Sequence, residues 1–137
     1  MKKVTSLGGI FFRSKDPENT KAWYQKHLGL RVGPYGTNFE WRHADQPDQK
    51  GFTLWSPFDH HTDYFGSTDQ DFMISFRVDD LEALVIELRA EGVTIIDEIA
   101  TYEYGKFVHI LDADDRRIEL WEPNDEYYDQ MIEARTK

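Results

Sequence analysis

Leu54-Trp55-Ser56-Pro57 recurs as Leu120-Trp121-Glu122-Pro123, and this repetition decides the fold. A second match lies upstream at nearly the same offset. Phe12-Arg13-Ser14-Lys15-Asp16-Pro17-Glu18 parallels Phe76-Arg77-Val78-Asp79-Asp80-Leu81-Glu82. Each match joins a strand-like run to the edge of an element, in the same order in both halves. Self-similarity of this kind marks a duplicated module whose faces meet. A pocket between two pseudo-equivalent sheets is the expected seat of function.

Working outward, residues 7–13 read as a strand. Asp16-Pro17-Glu18 then supplies an N-cap, a proline at the first helical position and an acid in the first turn. The helix carries Ala22, Trp23 and Leu28 and stops at Gly29. Residues 30–34, 38–44 and 52–56 read as strands, and 57–70 as a loop able to cover a pocket. The second half repeats the pattern. It has a strand at 72–78, a helix capped by Asp79 or Asp80 with Leu81, Leu84, Val85 and Leu88 on one face, and strands at 93–96, 106–111 and 117–122. Residues 124–135 form a terminal helix with Tyr127, Tyr128, Met131 and Ile132 on its apolar side. The fold is thus α+β, one domain of tandem βαβββ modules (about 4–57 and 70–123, then a 124–137 tail) sharing a concave cavity.

Alternation assigns the faces. Phe72, Ile74, Phe76 and Val78 pack on the helix, leaving Met73, Ser75 and Arg77 opposite. Ile10 and Phe12 face the helix, with Gly9, Phe11 and Arg13 opposite. Ile118 and Leu120 face the helix, with Glu119 and Trp121 opposite. Thr53 and Trp55 are placed on the cavity side of their strand.

Composition narrows the function classes. The chain has 137 residues, 39% hydrophobic and 15% aromatic, more rings than a small core requires. It has no cysteine, which removes disulfide and thiolate chemistry. The formal charge of −10 argues against nucleic acid and is compatible with a cationic ligand. No apolar run is long enough to span a membrane, and no separate apolar signal segment opens the chain, so we expect a cytoplasmic protein. No phosphate loop, dinucleotide fingerprint or serine-nucleophile elbow is present.

The runs Phe11-Phe12-Arg13-Ser14-Lys15-Asp16-Pro17, Trp23-Tyr24-Gln25-Lys26-His27-Leu28-Gly29-Leu30 and Asp112 through Glu122 resemble the vicinal oxygen chelate superfamily, which includes glyoxalase I, extradiol dioxygenases and bleomycin-resistance proteins. The resemblance covers roughly residues 4–123. It implies a homodimer that binds a small molecule. Metal-dependent members carry one ligand on the first, fourth, fifth and eighth strands, positions that fall here on Gly9, Thr53, Met73 and Glu119. Only Glu119 is a good divalent-metal ligand. The departure argues against glyoxalase I and dioxygenase chemistry, and no cofactor is expected.

Several residues emerge as candidates for the cavity. Arg13 and Arg77 are repeat equivalents; a guanidinium there either binds a substrate carboxylate, as the resemblance implies for Arg13, or pairs with a neighbouring acid. The turn at 112–116 pairs Ile110 with Ile118 and so sets His109 opposite Glu119, as a general acid–base dyad or as a structural hydrogen bond. A relocated metal site of His43, His109 and Glu119 is a further arrangement. Phe11, Trp55, Met73, Phe107 and Trp121, with Trp41 and Phe39, either line a cavity for a planar ligand or fill the space between the halves. Asp59-His60-His61-Thr62-Asp63 reads as a solvated loop and the segment 112–115 as a turn. Tyr102-Glu103-Tyr104-Gly105-Lys106 forms a pocket rim or a dimer edge. The functional expectation is a small aromatic or carbonyl-containing ligand. Its fate is either a lyase or isomerase step with Glu119 as base, or non-catalytic sequestration of a drug or metabolite.

Overall fold

The computed structural model describes residues 3–67 and 69–137; Met1, Lys2 and Thr68, the last within the expected 57–70 loop, lie outside the described residues. The elements are β1 (Val4–Ser14), α1 (Pro17–Leu28), β2 (Thr37–Arg42), β3 (Lys50–Asp59), β4 (Phe72–Val78), α2 (Leu81–Ala90), β5 (Ala100–Tyr102), β6 (Gly105–Leu111), β7 (Arg117–Pro123), α3 (Asp125–Met131) and β8 (Arg135–Thr136). All eight strands join one mixed sheet in the order β5-β6-β7-β4-β1-β3-β2-β8. The fold is α+β.

The two halves meet at the antiparallel β1–β4 seam, and each central strand has a parallel neighbour from its own half: β3 beside β1 and β7 beside β4. Helix starts follow the sequence signals. Asp16 accepts from Asn19 N–H and Asp80 from Ala83 N–H, each satisfying an orphan donor of the first turn. Gly29 closes α1 in the left-handed region at φ 73°, where a side chain would be strained.

The main core lies between α2 and its half-sheet, where Val78, Leu81, Leu84, Val85, Val108 and Leu120 are buried and Phe76, Ile110 and Ile118 pack against them. The first helix corrects the sequence reading. Ala22, Trp23 and Leu28 are exposed, while Tyr24 packs on Trp55 with ring centroids 4.6 Å apart. Lys21 is the buried residue of α1. Its ammonium caps the carbonyls of Gly33 and Pro34 at 3.2 and 3.0 Å and pairs with Glu18 at 2.7 Å.

Two expected strands reduce to bridges. At 30–34 the chain enters the Gly33-Pro34-Tyr35-Gly36 turn, closed by reciprocal bonds between Gly33 and Gly36, and proline has no N–H to extend a ladder. At 93–96 only Ile95 bridges to Ile110, and an edge strand forms instead at 100–102. The tail is shorter in helix than expected: α3 ends at Met131, and Arg135–Thr136 turns to pair with β2. No helix among the described residues is long and apolar enough to cross a membrane.

Candidate functional site

The sheet curves so that segments near its opposite ends face one cavity of about 470 Å³. One wall comes from the first half: Phe11 of β1, the 33–36 turn, and Leu54, Ser56 and Phe58 of β3. The other comes from Tyr104, Phe107 and Glu119 of the second half. Tyr64 lies between them, and Tyr128, Met131, Ile132, Glu133 and Ala134 of the tail close the end. The lining is mainly rings and aliphatic groups, and among the described residues no Lys or Arg lines it.

Glu119 is the carboxylate of this wall. It is 3% exposed. The β6–β7 register pairs His109 with Glu119 and Ile110 with Ile118, as the turn at 112–116 dictates. Ser75, opposite Glu119 across the parallel β4–β7 pair, donates its hydroxyl to Oε1 at 2.9 Å. The Tyr64 phenol donates to Oε2. His109 Nε2 stands 3.4 Å from the same oxygen, long for a hydrogen bond, and has no other partner among the described residues. On its far side His109 Nδ1 meets Asp97 Oδ2 at 2.7 Å, and the His109 backbone N–H donates to Asp97 Oδ1 at 2.8 Å. Asp97, His109, Glu119 and Tyr64 therefore form one chain of polar contacts.

Burial disfavours the charged imidazole, but the flanking Glu119 and Asp97 carboxylates outweigh it and raise the His109 pKa. Burial, and then the Glu119 charge, raise the Tyr64 phenol far beyond its ordinary range, so it stays protonated and donates. Burial likewise pushes the Tyr128 phenol up to about 12, partly offset by its bond to Asn38.

The other sequence candidates divide. Phe11, Phe107 and Glu119 line the large cavity. His109 lines a smaller neighbour. Met73 and Trp121 are on the interior face but are packed beneath it, Met73 against Phe11 and Phe65, Trp121 against Phe52 and Tyr128. Trp55 requires correction. It packs against Phe12 and Tyr24 on the α1 side of the sheet, and Leu54, Ser56 and Phe58 take the cavity face of β3. The sequence reading set β3 one residue out of phase, which exchanges the two faces.

Arg13 and Arg77 are also corrected as anion ligands. Arg13 donates to four carbonyls: Gln70 at 2.9 Å, His60 at 2.8 Å, Thr62 at 2.7 Å and Ser67 at 3.1 Å. Its guanidinium is spent on holding the loop that carries Tyr64. Arg77 is 2% exposed, lies over the faces of Trp41 and Trp121, and pairs with Asp125 at the start of α3. Neither guanidinium lines the large cavity. Sequence reasoning missed Tyr64 and Asp97 as partners of the dyad. Tyr64 sits in the expected covering loop, and Asp97 gave no signal.

The positions around Glu119 do not fit the metal of the metal-dependent relatives. Ser75, not Met73, is the β4 residue that meets Glu119. A Cβ on Gly8, not on Gly9, would press against Ser75 Oγ at 2.8 Å. The Thr53 hydroxyl turns away, donating to Leu7 O at 2.8 Å and accepting from the Trp41 indole. His43 lies by Asp125 at 3.8 Å, so the relocated His43–His109–Glu119 arrangement does not assemble. Among the described residues no group of three His, Asp or Glu is arranged to hold a metal ion. Glu119 and His109 are the two ordinary divalent-metal donors here, and both Glu119 oxygens already accept hydrogen bonds.

The Glyoxalase/Bleomycin resistance protein/Dioxygenase superfamily model matches residues 6–120. The chain belongs to that superfamily. Methylmalonyl-CoA epimerase from Mycobacterium tuberculosis is similar in fold, with a TM-score of 0.60 at 20% identity over 94% of this chain and 95% of its own. A variant of Streptomyces coelicolor methylmalonyl-CoA epimerase in complex with 2-nitronate-propionyl-CoA gives 0.67 at 15% identity, over 88% and 99%. The Mn(II)-bound glyoxalase from Novosphingobium aromaticivorans gives 0.56 at 18% identity, over 89% of this chain and 40% of that one. No curated protein matches in sequence. At these identities the likeness shows the shared fold.

Proposed function

We propose that this chain binds a small aromatic molecule, neutral or cationic, in the large cavity, with Glu119 facing the ligand's polar or charged group. The observation that carries this reading is the composition of the wall: aromatic rings, the buried Glu119 carboxylate, the exposed Glu133, and no Lys or Arg among the described lining residues. Ring faces and a carboxylate both favour an organic cation.

Calorimetric titration with benzylamine, benzyl alcohol and benzoate tests the reading. Benzylamine binds most tightly and benzoate least. Glu119→Gln lowers benzylamine affinity about tenfold, the order of one hydrogen bond to a charged group. Benzoate binding as tightly as benzylamine would overturn the proposal.

Sequestration without turnover is the better-supported form. Both Glu119 oxygens are already engaged as acceptors, by the Tyr64 phenol and the Ser75 hydroxyl. The polar chain through His109 favours a second form, a lyase or isomerase step in which Glu119 takes the proton next to a ligand carbonyl. Glu119-dependent deuterium exchange at that carbon of a bound aryl ketone would decide for the enzyme. The exposed Trp23 and Leu28 on α1 support a homodimer, with dimer mass by light scattering as its check.

A further inference from the structure

A second cavity of about 390 Å³ adjoins the first and is lined by Tyr64, Asp97, Ala100, Tyr102, Tyr104, Phe107 and His109. Tyr64, Tyr104 and Phe107 line both spaces, so the two share a wall of rings. The smaller cavity has its own carboxylate. Asp97 is 44% exposed, so it meets both solvent and a ligand. Tyr102 and Tyr104 stack with centroids 5.3 Å apart and planes 4° from parallel, and Phe107 stands edge-on to both. His109 lies between the acids, with Nδ1 2.7 Å from Asp97 and Nε2 3.4 Å from Glu119. The two carboxylates are thus held one imidazole width apart.

We propose that the smaller cavity is a second cation subsite, and that the chain takes an elongated ligand with two cationic ends, one at Glu119 and the other in the ring-walled space at Asp97. This rests on the reading of the large cavity as a cation site. Rings present their negative faces to an ammonium or amidinium group, and the adjacent carboxylate supplies the full charge. A single imidazolium between two carboxylates leaves the cluster net negative, and a second ligand cation meets that charge. The chain's formal charge of −10 favours such a ligand over an anionic one at a distance.

Benzylamine and 1,4-bis(aminomethyl)benzene are the probes, titrated into the full chain at physiological ionic strength. The diamine is expected to bind about tenfold more tightly than the monoamine. Asp97→Asn keeps an oxygen for the His109 backbone N–H. It is expected to abolish the diamine's advantage over benzylamine, and its thermal melt reports that the fold is intact. Tyr102→Ala, at a half-exposed ring, is expected to reduce the advantage severalfold. Asp114→Asn, on the distant 112–116 turn, removes the same charge and is expected to leave the advantage whole. A diamine no tighter than benzylamine, or an advantage that survives Asp97→Asn, overturns the subsite. An advantage that falls equally in Asp114→Asn also overturns it, because net charge then explains the effect. Failure of benzylamine itself to bind overturns the reading of the large cavity instead.

Discussion

Trp55 and Trp121 occupy the same place in a repeated tetrapeptide and lie on opposite faces of the sheet. Trp55 packs on Tyr24 of α1, outside the cavity. Trp121 stacks on Phe107 at 5.7 Å, meets Tyr128 edge-on and carries the Arg77 guanidinium at 5.4 Å on the interior side. The pairing explains the difference. Leu54 sits beside Gly9 across the β1–β3 pair, and Glu119 sits beside Ser75 across the β4–β7 pair. Leu54, not Thr53, is therefore the interior counterpart of Glu119. The repeated letters are one residue out of step with the repeated backbone, and in a strand one residue is a change of face. A sequence repeat establishes that a module recurs; hydrogen-bond register establishes what each copy points inward.

The arginines make the same comparison differently. Both face inward from central strands, yet Arg13 is satisfied by backbone carbonyls, whereas the Arg77 guanidinium lies over two indoles, pairs with Asp125 and donates to Phe52 O. Arg77→Ala is expected to cost about 3–5 kcal/mol in chemical denaturation, because it takes the guanidinium partner from Asp125 and empties the space between Trp41 and Trp121. Arg13→Ala loses hydrogen bonds without stranding a charge, and about 1.5–3 kcal/mol is expected. Equal costs would mean that the two sites are equivalent after all.

Trp121→Ala removes a ring that is 4% exposed and should cost about 3–5 kcal/mol. The half-buried Trp55 should cost less, and Trp55→Ala should leave benzylamine affinity intact. A large affinity loss in Trp55→Ala would return that ring to the cavity and break the face assignment of β3.

A smaller effect belongs to pH. His109 has a folded pKa raised above its ordinary 6.5, so the stability it contributes is complete below 6.5 and is lost as pH rises through the folded value. Thermal melts of the wild type should decline over that window, and His109→Gln should flatten the decline. Glu119→Gln should shift the window toward 6.5, because it removes one of the two carboxylates that raise the imidazole. A window unmoved by Glu119→Gln would assign the raised value to Asp97 alone. The smallest expected signal is metal content. Elemental mass spectrometry of protein purified without chelator should find no stoichiometric divalent ion, and near one ion per chain would mean that Glu119 and His109 recruit donors this arrangement does not bring together.

Much of the fold was legible in the sequence because its signals are local. Asp16-Pro17 and Asp80 announce helix starts, the alternation of 72–78 separates Phe76 and Val78 from Met73, Ser75 and Arg77, and the turn at 112–116 places His109 opposite Glu119. The resemblance to the superfamily rests on those same segments and agrees with the match over residues 6–120. The candidate site was legible only where a strand's phase was unambiguous. In 52–58 apolar residues fall on both faces, so alternation had nothing to choose between.

The sequence by itself determined the helix starts, the repeated tetrapeptide, the lack of cysteine and the acidic balance, and it put Glu119 and His109 across from one another. Only the tertiary structure decided which β3 residues face the cavity, that both arginines are consumed internally, that the tail walls the cavity, and that Tyr64 and Asp97 complete the polar chain. The reason is range. Caps, turns and alternation act over a few residues, whereas the carbonyls that satisfy Arg13, the acid that pairs with Arg77 and the phenol that reaches Glu119 lie 47–57, 48 and 55 residues away in the chain, and nothing local records which of them arrives.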